Sequence, residues 1–185
     1  MNKNKWLAII ILITPIVVLG LSTLTFYFGY KPGTASNNGE LIYPHIETED
    51  AKLVRTNGEL FSFLKGKWYL IYFDDMADMS ESEEKLKFLF SLNTTLGREM
   101  NRVKRVVIIS ENESIGNYQD LIDSFPSTFF VFDKENILKD KITNARTDPY
   151  QSKSIYLSDD FSNIMEEFNS EMEFKEIFED LKTLL

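Results

Sequence analysis

Lys67-Trp68-Tyr69-Leu70-Ile71-Tyr72-Phe73-Asp74-Asp75-Met76-Ala77-Asp78-Met79-Ser80 is the stretch that decides the fold. Residues 68–73 are apolar without alternation, the pattern of a strand covered on both faces of a sheet. The acidic run 74–79 ends that strand. Ser80 followed by Glu83 fits a capping box and predicts a helix starting at Ser80. Leu89, Leu92, Leu96 and Met100 then recur at three- and four-residue spacing, which predicts one buried helix face. Val106-Val107-Ile108-Ile109 is a second doubly covered strand. Strand, helix and strand of these lengths predict one right-handed, parallel βαβ unit.

Working outward, Tyr118-Gln119-Asp120-Leu121-Ile122 reads as a short helix ending before Phe125-Pro126, and Thr128-Phe129-Phe130-Val131-Phe132 as a third buried strand. Asp133 is placed to cap a helix carrying Ile137, Leu138 and Ile142. Residues 144–152 read as polar loop. Residues 154–157 and 163–165 bracket Ser158-Asp159-Asp160-Phe161-Ser162, an antiparallel hairpin, and a last helix carries Phe174, Ile177, Phe178, Leu181, Leu184 and Leu185 on one face. Upstream, Leu53-Val54 and Leu60-Phe61-Ser62-Phe63 flank Asn57-Gly58, a strong turn signal that predicts an N-terminal β-hairpin. A βαβ unit, a β-α connection and a closing ββα unit make an α/β thioredoxin-like sandwich. Its mixed central sheet is flanked by helices and occupies residues 39–185.

Residues 6–30 contain no charge and are rich in Ile, Leu and Val. As a helix they would measure roughly 37 Å, enough to cross a bilayer with some tilt. Trp6, Tyr27 and Tyr30 suit the interfacial aromatic positions, and Pro15 is tolerated in a spanning helix. The run is too long for the apolar core of a cleaved signal peptide. Lys3 and Lys5 precede it, with only Lys31 close behind, so residues 1–5 are expected in the cytoplasm. The expected arrangement is a single-pass protein of a bacterial inner membrane, with a linker at 31–38 and a periplasmic C-terminal domain. All 29 acidic residues follow this segment; against the 18 basic residues beyond Lys5 they give 18 − 29 = −11. That charge repels nucleic acid and anionic head groups and attracts a basic partner. The chain has no cysteine, so a disulfide and thiol exchange are chemically excluded.

Gly66-Lys67-Trp68-Tyr69-Leu70-Ile71-Tyr72-Phe73 and Leu96-Gly97-Arg98-Glu99-Met100-Asn101-Arg102-Val103-Lys104-Arg105-Val106 carry a resemblance. So do Asn38-Gly39-Glu40-Leu41-Ile42, Ile155-Tyr156-Leu157-Ser158-Asp159 and Asp180-Leu181-Lys182-Thr183-Leu184-Leu185. Together they resemble membrane-anchored, cytochrome oxidase-associated thioredoxin-like proteins similar to the Sco (SenC) copper-delivery family. The resemblance implies respiratory oxidase subunits or assembly factors as partners. It also implies a copper site of two cysteines after the first core strand and a histidine before the late hairpin. Counted along this chain those positions fall near Asp78, Ser82 and Gln151, so the ligand set is missing.

The residues present point away from catalysis. Asp78, Glu81, Glu83 and Glu84 around the helix start are accounted for by capping and by compensation of the helix dipole. Met76 and Met79 are soft donors for Cu(I), which gives a weak copper-handling alternative, although packing against the sheet explains them better. His45 is the only histidine and makes neither a metal site nor a nucleophile pair on its own. It reads as a surface or hairpin-edge residue. Asn93-Thr94-Thr95 and Asn112-Glu113-Ser114 are chance matches to a glycosylation pattern. No dinucleotide or phosphate loop is present. The expectation is a protein without catalytic residues, cofactor or resident metal. It acts by contact through Asp74, Asp75, Asp78 and Ser82 on an oxidase-related partner, with its N-terminal helix in the membrane.

Overall fold

A computed structural model describes residues 3–27, 37–110 and 118–185, in two units, Met1–Ser36 and Asn37–Leu185. The first unit holds one helix, α1 (Lys3–Tyr27), with Pro15 inside it. Thr14 and Thr23 donate their hydroxyls to the carbonyls of Ile10 and Leu19, which satisfies both within the helix. Among the described residues no helix is long and apolar enough to cross a membrane. The structure therefore gives a helix where a span was predicted but does not carry the span itself. Residues 28–30 and most of the linker lie outside the described residues.

The second unit is built on an eight-stranded mixed sheet. Its strands are β1 (Glu40–Glu47), β2 (Leu53–Arg55), β3 (Leu60–Phe61), β4 (Trp68–Asp74), β5 (Val103–Ile109), β6 (Thr128–Asp133), β7 (Ile155–Ser158) and β8 (Asn163–Phe168), in the order β1-β8-β7-β4-β5-β6-β2-β3. The pairs β4/β5 and β5/β6 are parallel, as the βαβ pattern requires, and the remaining pairs are antiparallel. Among the described residues five α-helices complete it: α2 (Met79–Thr95), α3 (Gln119–Asp123), α4 (Ile137–Ala145), α5 (Pro149–Ser152) and α6 (Phe174–Leu184). The unbroken apolar run of β4 serves two cores. Leu70 and Tyr72 pack with Leu86, Leu89 and Leu92 of α2 and Ile177 and Leu181 of α6. Tyr69, Ile71 and Phe73 pack on the other face with Leu138 and Ile142 of α4. This is the predicted sandwich.

Four local differences follow from tertiary context. First, the predicted hairpin is present as β2 and β3, but β2 also pairs with β6, so the hairpin is one edge of the main sheet. Second, β1 forms the opposite edge. Only Ile42 and Ile46 of its apolar side chains are buried, and a bulge between Leu41 and Ile46 disrupts its pairing with β8. No period-2 signal could survive that geometry. Third, the long helix stops at Thr95 rather than Met100. Gly97 adopts a φ of 59° and opens a 3-10 turn, Gly97–Asn101, which leaves Met100 exposed. Fourth, the polar loop 144–152 contains α5, which starts at Pro149 with Asp148 capping it.

Candidate functional site: the acidic loop at the head of α2

β4 delivers Asp74 to the end of the sheet with its side chain on the α2 face, where it is 2% exposed. Its Oδ1 accepts from the Met76 N–H at 2.8 Å and from the Ser82 hydroxyl at 3.1 Å. Met76, at a φ of 52°, turns the chain and drops its own side chain into the core beside Tyr72 and Leu86. Asp78 then caps α2, its Oδ1 accepting from the N–H groups of Ser80 at 2.8 Å and Glu81 at 3.3 Å. The cap is thus Asp78 and not Ser80, and the helix begins one residue early, at Met79. A short side chain two residues ahead of the free N–H groups reaches them, and Ser80, already inside the helix, cannot.

The electrostatics of the loop divide inside from outside. Burial pushes the Asp74 carboxyl above its ordinary value, against the Met76 N–H, the Ser82 hydroxyl and Lys153, which pull it down. Its Oδ2 is buried without a hydrogen-bond partner, as is the Tyr72 hydroxyl. Burial, then the negative field of Asp74, Glu81 and Asp75, pushes the Tyr72 phenol far up and keeps it neutral. At the surface, burial is the largest single influence on Asp75 and raises it. Lys153 outweighs it together with the Ala77 N–H, and the carboxyl ends below its ordinary value. Lys153 Nζ lies 3.1 Å from Asp75 and 4.0 Å from Glu81. Sequence reasoning missed Lys153. It sits 78 positions away, and its only local signal is a basic residue just after the short Pro149 helix.

Of the predicted site residues, the structure joins Asp74 to Ser82 inside and leaves Asp75 and Asp78 facing outward beside Glu81. Met76 and Met79 are not brought together as exposed donors: Met76 is 2% exposed and packed, whereas Met79 is 47% exposed. Gln151 lies exposed on α5. His45 lies on the edge strand β1 and lines a groove with Lys141 and Arg146. Asn93 is buried, its amide donating to the carbonyls of Met100 and Val103. Asn112 falls outside the described residues. Among the described residues no group of three or more His, Cys, Asp or Glu side chains is placed to hold a metal ion.

The family model described as a transmembrane-like, thioredoxin-like C-terminal domain matches residues 68–185, more than half of the chain. The chain belongs to this family. Its fold is also that of solved Sco proteins. ScoI of Bradyrhizobium japonicum with copper bound has 20% identity and a TM-score of 0.53, covering 80% of this chain and 99% of its own. Yeast Sco1 with copper bound has 18% identity and a TM-score of 0.54, covering 80% and 92%. BsSco, described as a member of the Sco family of cytochrome c oxidase assembly proteins, has 15% identity and a TM-score of 0.56, covering 76% and 94%. The resemblance to Sco proteins read from the sequence thus holds at the level of fold. Among curated proteins none matches the sequence.

The copper of the two copper-bound structures does not fit the residues this chain carries. At two of the three expected ligand positions the donor oxygen is hard and already engaged by the chain itself. Asp78 Oδ1 is spent on two backbone N–H groups, and the Ser82 hydroxyl on Asp74. Thiolate and imidazole are absent from this loop, and its two thioethers are split between the core, Met76, and the surface, Met79.

Proposed function

We propose that this family member is a non-catalytic, membrane-anchored thioredoxin-like protein that acts by protein contact in the assembly or maintenance of a cytochrome c oxidase. The observation that carries the reading is the state of the α2 N-terminus. The place where a redox relative exposes a reactive group is here closed by the Asp78 cap and the Asp74–Ser82 hydrogen bond. What faces outward is a short acidic surface: Asp75, Asp78 and Glu81, with the Met79 side chain. Acidic rim groups steer a basic partner and set register, while a flexible exposed thioether adapts to an apolar contact.

Two further observations support a partner at the membrane. Residues 37–39 lead into β1 at the same end of the sheet as this loop, because Glu40 pairs with Glu167, and Phe168 with Ile155, which in turn pairs with Tyr72. The chain preceding them is the apolar stretch 6–30, read here as a single span with residues 1–5 in the cytoplasm and the domain in the periplasm. The Sco likeness supplies the oxidase setting.

Affinity capture from detergent-solubilised membranes tests the reading. The wild-type protein is expected to retain oxidase subunits or assembly factors, and Asp75→Lys with Asp78→Ser and Glu81→Lys is expected to lose them. Recovery of none, together with an unchanged oxidase in a deletion strain, overturns it. The copper-handling alternative through Met76 and Met79 requires Cu(I) binding tighter than about micromolar that both Met→Leu changes abolish. An anaerobic titration measures this directly.

A further inference from the structure

The start of the folded domain is fastened by an unusual carboxyl pair. Asp180 of α6 accepts three hydrogen bonds from the incoming chain: from the Asn38 N–H at 2.6 Å, the Asn38 side-chain amide at 3.0 Å and the Gly39 N–H at 2.9 Å. The Asn38 amide also donates to the Glu176 carbonyl at 3.1 Å. Gly39 lies against β8 so closely that a Cβ there would stand 2.6 Å from the Phe168 ring and 2.8 Å from Glu166 Oε1. Only glycine fits this approach. Glu166 itself is fully buried, and neither of its carboxylate oxygens has a hydrogen-bond partner.

A buried carboxylate with the Asn37 side-chain amide as its one neighbouring donor is expensive, and a proton is the cheapest way to neutralise it. The strands on either side offer no counter-charge: β1 presents Leu41 opposite Glu166, and β7 presents Leu157. From α6 comes Asp180, a like charge, and from the incoming chain the side-chain amide of Asn37. Among the described residues, no basic side chain pairs with Glu166 or Asp180. Burial, then Asp180, pushes the Glu166 carboxyl up to about 7, with Asn37 pulling the other way. A metal ion is a poor substitute, because the Asp180 oxygens already face three N–H groups and no third acid completes a site among the described residues.

We propose that Glu166 and Asp180 form a proton-gated clasp on residues 37–39. With Glu166 neutral, Asp180 holds Asn38 and Gly39 against β8 and α6. Loss of the Glu166 proton sets two carboxylates against each other around Gly39, and the clasp opens. The switch sits where the chain leads from its apolar segment into the domain, so its opening lengthens the tether without unfolding the sheet. It does not depend on the identity of any partner.

The full chain in detergent micelles, labelled with 15N-glycine, tests this, since it contains only eight glycines. Exchange of the Gly39 amide with solvent, corrected for the intrinsic rate, is measured from pH 5.5 to 8.5. The Gly66 amide, bonded to the Asp160 carbonyl in the same domain, is the internal reference. The Gly39 opening constant is expected to rise at least tenfold with a midpoint near 7, while Gly66 stays level. In Glu166→Gln the Gly39 value is expected to remain low and flat. Glu166→Leu, which fills the same space without ionising, carries the same expectation should the amide variant not fold. A flat wild-type profile overturns the clasp. So does a parallel rise at Gly66, or a rise that persists in a folded Glu166 variant.

Discussion

Among the described residues three buried carboxyl or guanidinium side chains, Arg105, Asp74 and Glu166, lack full hydrogen-bond partners, and each gives a distinct expectation. Arg105 of β5 is 2% exposed, its Nε and Nη1 are unpartnered, and its guanidinium lies 4.9 Å from the Phe90 ring. The cation–π contact returns about 0.5–2 kcal/mol, less than the desolvation of a guanidinium. Burial accordingly lowers its pKa. Arg105→Met, which keeps the stem and drops the charge, is expected to stabilise the protein by about 1–3 kcal/mol, read from the urea midpoint. Asp74 and Glu166 both titrate above their unfolded values, 3.8 and 4.5. A raised carboxyl contributes stability that is complete below the unfolded value and is lost as pH rises through the folded one. The protein is therefore expected to have a higher urea midpoint at pH 5 than at pH 8. Asp74→Asn keeps the Oδ1 acceptor for Met76 and Ser82 while removing the charge. It should flatten part of that slope, with its gain over wild type confined to the higher pH. Asp75, lowered by Lys153, works in the opposite direction, but it is half-exposed and solvent screens it.

At the scale of elements, the head of α2 and the β1 edge show how local chemistry is held in place. Asp78 satisfies two of the free N–H groups of the 17-residue α2. Asp78→Ala is expected to cost about 1 kcal/mol, with amide exchange at Ser80 and Glu81 accelerating first, whereas Asp78→Ser should restore both. This separates the cap from the docking role, because Ser restores stability without restoring charge. At the opposite side of the sheet, β1 has a neighbour only in β8 and so offers an edge for association. Arg146 donates to the Leu41 carbonyl at 2.7 Å and pairs with Glu40, and Lys141 donates to the Glu47 carbonyl at 2.8 Å and pairs with Asp50. These basic side chains from α4 and its end occupy carbonyls that a further strand would use. The double change Lys141→Ala, Arg146→Ala is expected to promote self-association, visible as a shift of the sedimentation profile at the same protein concentration.

For the whole molecule, charge and topology together set how it meets a partner. The −11 charge beyond the first five residues makes attraction to a basic surface long-ranged only at low salt. Raising ionic strength from about 0.05 to 0.5 M shortens the screening length several-fold. Capture of an oxidase-related partner should weaken accordingly, by slower association more than by faster release; insensitivity to salt would remove the acidic loop from the contact. The sequence by itself determined the sandwich. The continuous apolar runs at 68–73 and 106–109, the helical spacing from Leu89, and the Asn57-Gly58 turn each report backbone geometry directly, since side-chain period follows from strand and helix rise. It also determined, through the absence of cysteine, that thiol chemistry is closed to this chain, because nucleophile identity is a property of composition. Only the tertiary structure decided which acids of the loop are inside and which face outward. Asp74 and Asp75 are adjacent and chemically alike, yet the strand sends one under α2 and leaves the other to Lys153. Only the tertiary structure, likewise, brought Glu166, Asp180 and Gly39 together from three distant segments. Burial and counter-charge are set by what packs against a residue, and no local pattern in the chain encodes them.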